Sequence, residues 1–287
     1  MAGFPVGLSV LRLVDSRRRI ALRNGSSRPR ALVTYVRYPA LAGTGTGDLP
    51  GAPAARAAGP FPLVIFGHGF AVTPSIYQRL LRSWARAGYV VAAPVFPLEN
   101  ANAPGGPDES DLTNQPADMS FVISRILAAS SAASGPLSGL VDPARIAVTG
   151  QSDGGETALA VAYDSHFRDP RVGAAVILSG AQLPGVGGFM FPRAGPPLLA
   201  TQGTADTVNP PRFTNDFFAR ARRPKYLLRL LGAGHLPPYT DQQPQLGIVE
   251  RVTIAFLDGY LKQRGGAPGR LRSLGAVRGT ASLVADP

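Results

Sequence analysis

No cysteine occurs in this chain. That excludes disulfides, thiol nucleophiles and thiolate metal sites, and it leaves the redox compartment open. Histidine is scarce as well: His68, His166 and His235 are the only imidazoles available to shuttle a proton near neutral pH. No run of about 18 apolar residues is present, so a membrane span is not expected. The start, "MAGFPVGLSVLRLVDSRRR", has no basic segment ahead of an apolar run. A cytoplasmic location is expected on the sequence given, and a secreted one if a signal peptide has been removed. Acidic residues are few, 18 against 29 Lys and Arg, for a formal charge of +11. The arginines are scattered and no aromatics interleave with them, so they read as a solvated surface rather than a nucleic-acid platform.

What is present is 45% apolar residues in 287, with 34 glycines and 28 prolines. That is enough to bury a sizeable core and punctuate it with many turns. "GLSVLRLVD" and "RALVTYVRYPA" suggest an antiparallel pair joined by the basic, turn-prone "SRRRIALRNGSSRP". The small-residue stretch 43–60 follows and reads as a surface excursion.

From residue 61 the chain alternates. "FPLVIFGHG", "YVVAAPVF", "ARIAVTGQS", "VGAAVILSG", "PPLLATQG" and "KYLLRLLGA" read as buried strands. Between them "PSIYQRLLRSWARAG", "QPADMSFVISRILAAS", "GGETALAVAYD" and "PRFTNDFFARAR" read as helices, and "LGIVERVTIAFLDGYLKQR" closes the series. This order predicts an α/β fold: a mostly parallel central sheet with helices on both faces, an antiparallel N-terminal edge and no large cap domain. A single domain is expected over 1–264. Residues 265–287, glycine-rich and basic, are expected as a loosely packed tail with at most one short element around Leu271–Val277.

"GQSDGG" (150–155) fits G-x-S-x-G between a β-branched strand and an alanine-rich helix. Gly150 and Gly154 flank Ser152 where side chains would crowd a sharp turn. A serine hydroxyl needs a base, and His235 follows an apolar strand, where parallel sheets place their sites. The base needs a carboxylate to fix its tautomer. Asp206, also just past a strand, fits better than Asp216, Asp241 or Glu250. The order Ser152, Asp206, His235 is the one this kind of elbow predicts.

The backbone N–H groups of Asp153 and Phe70 are the candidate oxyanion donors. His68 is expected to hold the Phe70 loop rather than act as a second base, and His166 to lie on the surface. His68, Phe70, Leu98, Gln182 and Leu183 are the candidate cleft residues, in an apolar mouth that includes residues 179–191. The polar segment 98–116 is read either as one rim of the cleft or as a solvated connection. "DESD" (108–111) is read as solvated rather than as a cation site, and no metal or cofactor is expected. The side-chain direction of Asp153, a carboxylate beside the nucleophile, stays open between the cleft and the protein interior.

"RYPA", "FPLVIFGHGF", "GQSDGG", "GTADTVNP" and "GAGH" occur together in this order. On these the chain, from about Val6 to Leu261, resembles α/β-hydrolases of the bacterial group of cutinase-like polyesterases, chlorophyllase-like enzymes and platelet-activating-factor acetylhydrolase relatives. It is also similar in fold to dienelactone hydrolases. The resemblance implies a serine esterase with Ser152 as nucleophile, Asp206 as acid, His235 as base, and Phe70 and Asp153 as oxyanion donors. Its partner would be a small ester or a polymer chain, on short- to medium-chain apolar esters, possible targets including lipids and polyesters. A thioesterase or amidase with the same machinery is the alternative, and a non-catalytic binding module the remoter one. The chain departs from the secreted polyesterases in lacking both a disulfide and a cleft tryptophan, since its one tryptophan is Trp84 on an early helix.

Overall fold

The computed structural model describes residues 3–22, 25–41, 47–183, 188–192 and 194–287. Among them ten strands form one sheet: β1 (Val6–Ala21), β2 (Ser27–Pro39), β3 (Asp48–Pro50), β4 (Phe61–Gly67), β5 (Val90–Pro94), β6 (Val141–Gln151), β7 (Val172–Leu178), β8 (Leu198–Gly203), β9 (Lys225–Leu230) and β10 (Ala281–Asp286). Their order across the sheet is β10-β9-β8-β7-β6-β4-β5-β2-β1-β3. β4 to β9 run parallel, while β2 pairs antiparallel with β5, and β1 with β2.

Strand alternation builds two cores. In β4, Leu63 and Ile65 face one layer and Val64 and Phe66 the other, and all four are fully buried. The first layer holds α2 (Gln115–Ser131), α3 (Asp153–Tyr163) and α4 (Pro211–Arg220). The second holds α1 (Gln78–Arg86), α5 (Pro237–Thr240), α6 (Gln245–Tyr260) and α7 (Ala267–Gly275). Trp84 shows how the second layer locks. It is fully buried, and its indole N–H donates to Thr253 Oγ1 at 2.8 Å, tying α1 to α6. A strand run buried on both faces cannot alternate polar and apolar residues, which is why β4 to β8 read as continuous apolar stretches.

Three expectations need correction. Residues 265–287 do not trail loosely: α7 packs Leu271 into the second core and β10 pairs antiparallel with β9 along its length. Glycine and arginine dominate the composition there, but Ala267, Leu271 and Ala281 face inward and suffice to dock it. The stretch 16–21 is not a turn. It continues β1 past an irregularity between Asp15 and Arg19. Within 43–60, Asp48–Pro50 adds an outer strand parallel to β1, and Ala54 and Ala55 are buried; residues 43–46 lie outside the described residues.

Nor are all the arginines a solvated surface. Arg30 on β2 is 2% exposed and donates to both Asp111 and Asp118 through four hydrogen bonds of 2.6–2.8 Å. Arg37 is buried against Asp48.

Candidate active site

β4 is followed in space by β5 on one side and by β6 on the other, so the strand order reverses between β4 and β6. A crevice opens at the carboxyl ends of the strands at such a point. Ser152 sits there, directly after β6, with φ 55° and ψ −126°. That is a strained conformation for a residue with a side chain, and it lifts the hydroxyl out of the strand–helix turn. The turn is feasible because the neighbouring glycines carry nothing. A Cβ at Gly150 would lie 2.0 Å from the Gly154 oxygen, and one at Gly154 would lie 2.2 Å from the Gly67 carbonyl. The elbow therefore packs backbone to backbone on the loop that follows β4.

That loop carries Phe70. His68 is fully buried beneath it, sharing Nδ1–H with the Gly69 carbonyl at 2.8 Å and accepting the Phe96 N–H on Nε2 at 3.0 Å. Burial drives its pKa down to about 4, so the ring is neutral and pins the loop. His68 is accordingly not a cleft residue. The N–H of Asp153, the first residue of α3, lies ahead of the intrahelical hydrogen-bond ladder and is available to an anion.

β8 and β9 deliver the other two groups. Asp206 Oδ2 lies 2.8 Å from His235 Nδ1. Its Oδ1 accepts the N–H groups of Val208 and Asn209 at 3.0 and 2.9 Å. Burial works to raise this carboxyl, but the His235 hydrogen bond and charge, with the Asn209 N–H, hold it below the usual range. Asp216 and Glu250 lie on α4 and α6, and Asp241 follows α5; His235 Nδ1 is bonded to Asp206. His166 is exposed. The distal nitrogen of His235 is engaged by Gln151, whose Nε2 lies 3.2 Å away, while Ser152 Oγ donates to Asp153 Oδ1 at 3.4 Å. Gln151 was missed in the sequence. The available signal was a long amide side chain immediately before the elbow serine.

The Chlorophyllase family model matches residues 52–179, the stretch that carries the Phe70 loop and the elbow. A solved structure titled as a ferulic acid esterase from Streptomyces cinnamoneus matches with a TM-score of 0.69 at 22% identity, covering 91% of each chain. The chain has the α/β-hydrolase fold. A search of the curated proteins finds no match.

In this fold the Asp153 side chain turns inward. It is 7% exposed and close enough to the fully buried Glu99 for the two carboxyls to influence each other. Glu99 Oε2 accepts from the Gln115 amide, whereas Glu99 Oε1 and Asp153 Oδ2 have no donor. Burial raises both carboxyls; the Asp153 charge adds to the rise at Glu99, and the Glu109 charge to that at Asp153, where Glu99 acts the other way. Glu156, one turn along α3, is pushed up to about 8 by burial and by the Asp153 charge.

These groups carry more protons folded than unfolded, so their contribution to stability is complete below the ordinary glutamate value of 4.5 and falls as pH rises through about 8. Glu99→Gln and Glu156→Gln should each flatten the decline in melting temperature between pH 6 and pH 9. Parallel curves for wild type and variants would show that the carboxyls do not hold these protons.

The segment before α2 is exposed at Ala101, Asn102, Glu109 and Ser110 and buried at Asp111 and Leu112. Asp111 of "DESD" is bound by Arg30, and Asp108 accepts from Ser110. Among the described residues no group of three ligating side chains could hold a metal. Leu98 is half-buried in the turn after β5. Leu183 belongs to the first core rather than to a cleft, because it is buried with Phe189 and Phe191. Gln182 lines a pocket of about 340 Å³ with Glu156, Ala181, Phe213 and Asp216. Residues 184–187 of the expected mouth lie outside the described residues.

Proposed function

We propose that the chain is a serine carboxylic-ester hydrolase working through an acyl-serine intermediate on apolar esters of short to medium chain length. The observation that carries this reading is the 2.8 Å contact between Asp206 and His235 Nδ1 beside a serine held at φ 55°. With Nδ1–H committed to Asp206, Nε2 of His235 bears the lone pair that a general base needs.

In the proposed reaction Ser152 Oγ attacks the ester carbonyl as its proton passes to His235 Nε2. The tetrahedral oxyanion lies against the N–H groups of Phe70 and Asp153. The C–O bond to the alcohol then breaks as His235 protonates that oxygen, leaving acyl-Ser152. Water, deprotonated by His235, repeats the sequence and releases the acid. Exposed Phe70 and Val208, on the two loops that carry an oxyanion donor and Asp206, favour an apolar group near the scissile bond. Among the described residues no helix is long and apolar enough to cross a membrane.

A panel of p-nitrophenyl esters from acetate to palmitate, run beside methyl ferulate, a soluble polyester, a thioester and an anilide, tests the assignment. Highest kcat/KM is expected between acetate and octanoate, with the anilide far slower. A thioester hydrolysed faster than every oxygen ester would move the reading to a thioesterase.

A further inference from the structure

Gln151 is 1% exposed at the end of β6, and every polar atom of its side chain is engaged. Its Nε2 lies 3.2 Å from His235 Nε2 and 3.2 Å from the His235 carbonyl oxygen. Its Oε1 accepts the Tyr77 hydroxyl at 2.7 Å. Tyr77, fully buried, in turn accepts the Gly69 N–H at 3.3 Å. The directions are fixed by chemistry. The His235 carbonyl can only accept, so the amide nitrogen must face it, and the Tyr77 proton must then go to Oε1. The site is tight as well: a Cβ on Gly69 would lie 2.9 Å from Gln151 Oε1 and 3.2 Å from Ser152 Cβ.

This chain of bonds spans the whole site. It starts at the residue before Phe70, crosses Tyr77 and Gln151, and ends on His235. The lone pair on His235 Nε2 that receives the Gln151 N–H is also the one that the Ser152 hydroxyl must reach. An amide nitrogen carries two protons, so it can release Nε2 and still hold the His235 carbonyl.

We propose that Gln151 is a positioning residue that docks the His235 loop on the oxyanion loop through Tyr77 and occupies His235 Nε2 until the Ser152 hydroxyl takes its place. The inference rests on the serine-hydrolase reading above and adds to it a residue that touches the base but no reacting bond of the ester. Two reacting groups on separate loops need a common anchor, because misplacement by about 1 Å costs on the order of 100-fold in rate.

The test is Gln151→Met, which keeps the length and volume of the side chain and removes both donors and the acceptor, assayed with Tyr77→Phe and the double variant. For Gln151→Met we expect kcat to fall ~10- to 100-fold, with KM nearly unchanged and inactivation by a fluorophosphonate slowed in parallel. Tyr77→Phe should lower kcat in the same direction, and the double variant should lose no more than the larger single loss, since the bridge is broken only once. Folded Gln151→Met with wild-type kcat overturns the inference, and so does a rise in KM at constant kcat, which would make Gln151 a substrate contact. If Gln151→Met does not fold, Tyr77→Phe decides: unchanged kcat overturns the inference and reduced kcat at constant KM supports it. Turnover surviving in Ser152→Ala would instead strike the hydrolase reading itself.

Discussion

Ser152→Ala should lower kcat on p-nitrophenyl butyrate by on the order of 10⁵- to 10⁶-fold while leaving a folded protein. The loss is large because nucleophile and base act as a unit: without Oγ there is no acyl intermediate, and His235 has no proton to take. In the proposed reaction what would remain is the polarisation of a bound carbonyl by the Phe70 and Asp153 N–H groups, which would still exceed catalysis by water alone. Stability should hardly change, since the one bond lost is the 3.4 Å contact with Asp153. A second substitution separates the chemistry from the strain. The φ of 55° at position 152 is a property of the turn, and a side chain in such a region costs on the order of 1–3 kcal/mol. Ser152→Gly should therefore be as inactive as Ser152→Ala but melt at a higher temperature. Equal melting temperatures would mean that the elbow holds no such strain.

Arg30→Met should destabilise the fold by about 3–5 kcal/mol. Arg30 is 2% exposed and faces Asp111 and Asp118, both buried. Burial raises the Asp118 carboxyl, against the pull of Arg30, and the two carboxylates hold the guanidinium charged. Removing the cation leaves two acids that must either take up protons or stay charged without a buried partner; Arg18 reaches Asp118 from the edge at 2.8 Å. The clamp also has a reach toward the site. It fixes the turn before α2, and Gln115 at the start of α2 bonds both Glu99 and Thr157 of α3. Chemical denaturation of Arg30→Met beside the triple variant with Asp111→Leu and Asp118→Leu checks the cause. The triple variant should recover much of the loss, because an apolar trio has no charge to strand. If Arg30→Met costs no more than an exposed substitution, about 0.5 kcal/mol, the clamp is not stabilising.

The parallel strands and their helices were legible because a strand buried on both faces writes a continuous apolar run and a helix writes a 3.6-residue stripe. Ser152, Asp206 and His235 stand out in the sequence because each follows such a run with glycine or proline nearby, and the structure brings Asp206 and His235 into contact. The C-terminal strand was not. β10 is an edge strand with half its side chains in solvent, so its composition resembles a tail and only its pairing with β9 reveals it. Arg30 was lost among 29 basic residues, since nothing local distinguishes an arginine that will meet two distant acids. The same limit hid Glu99, whose partners Asp153 and Gln115 lie 54 and 16 positions away in the chain. Asp153 beside the nucleophile looked like a choice between cleft and scaffold. In the structure it accepts from Ser152 and lies near a second buried carboxyl, Glu99, that no local pattern places there.

Labelling the active protein with a fluorophosphonate and locating the adduct by peptide mass spectrometry decides whether Ser152 is the nucleophile. One adduct per chain is expected, on Ser152, formed in step with loss of esterase activity and absent from Ser152→Ala. An adduct on another residue, or full inactivation with Ser152 unmodified, would contradict this role.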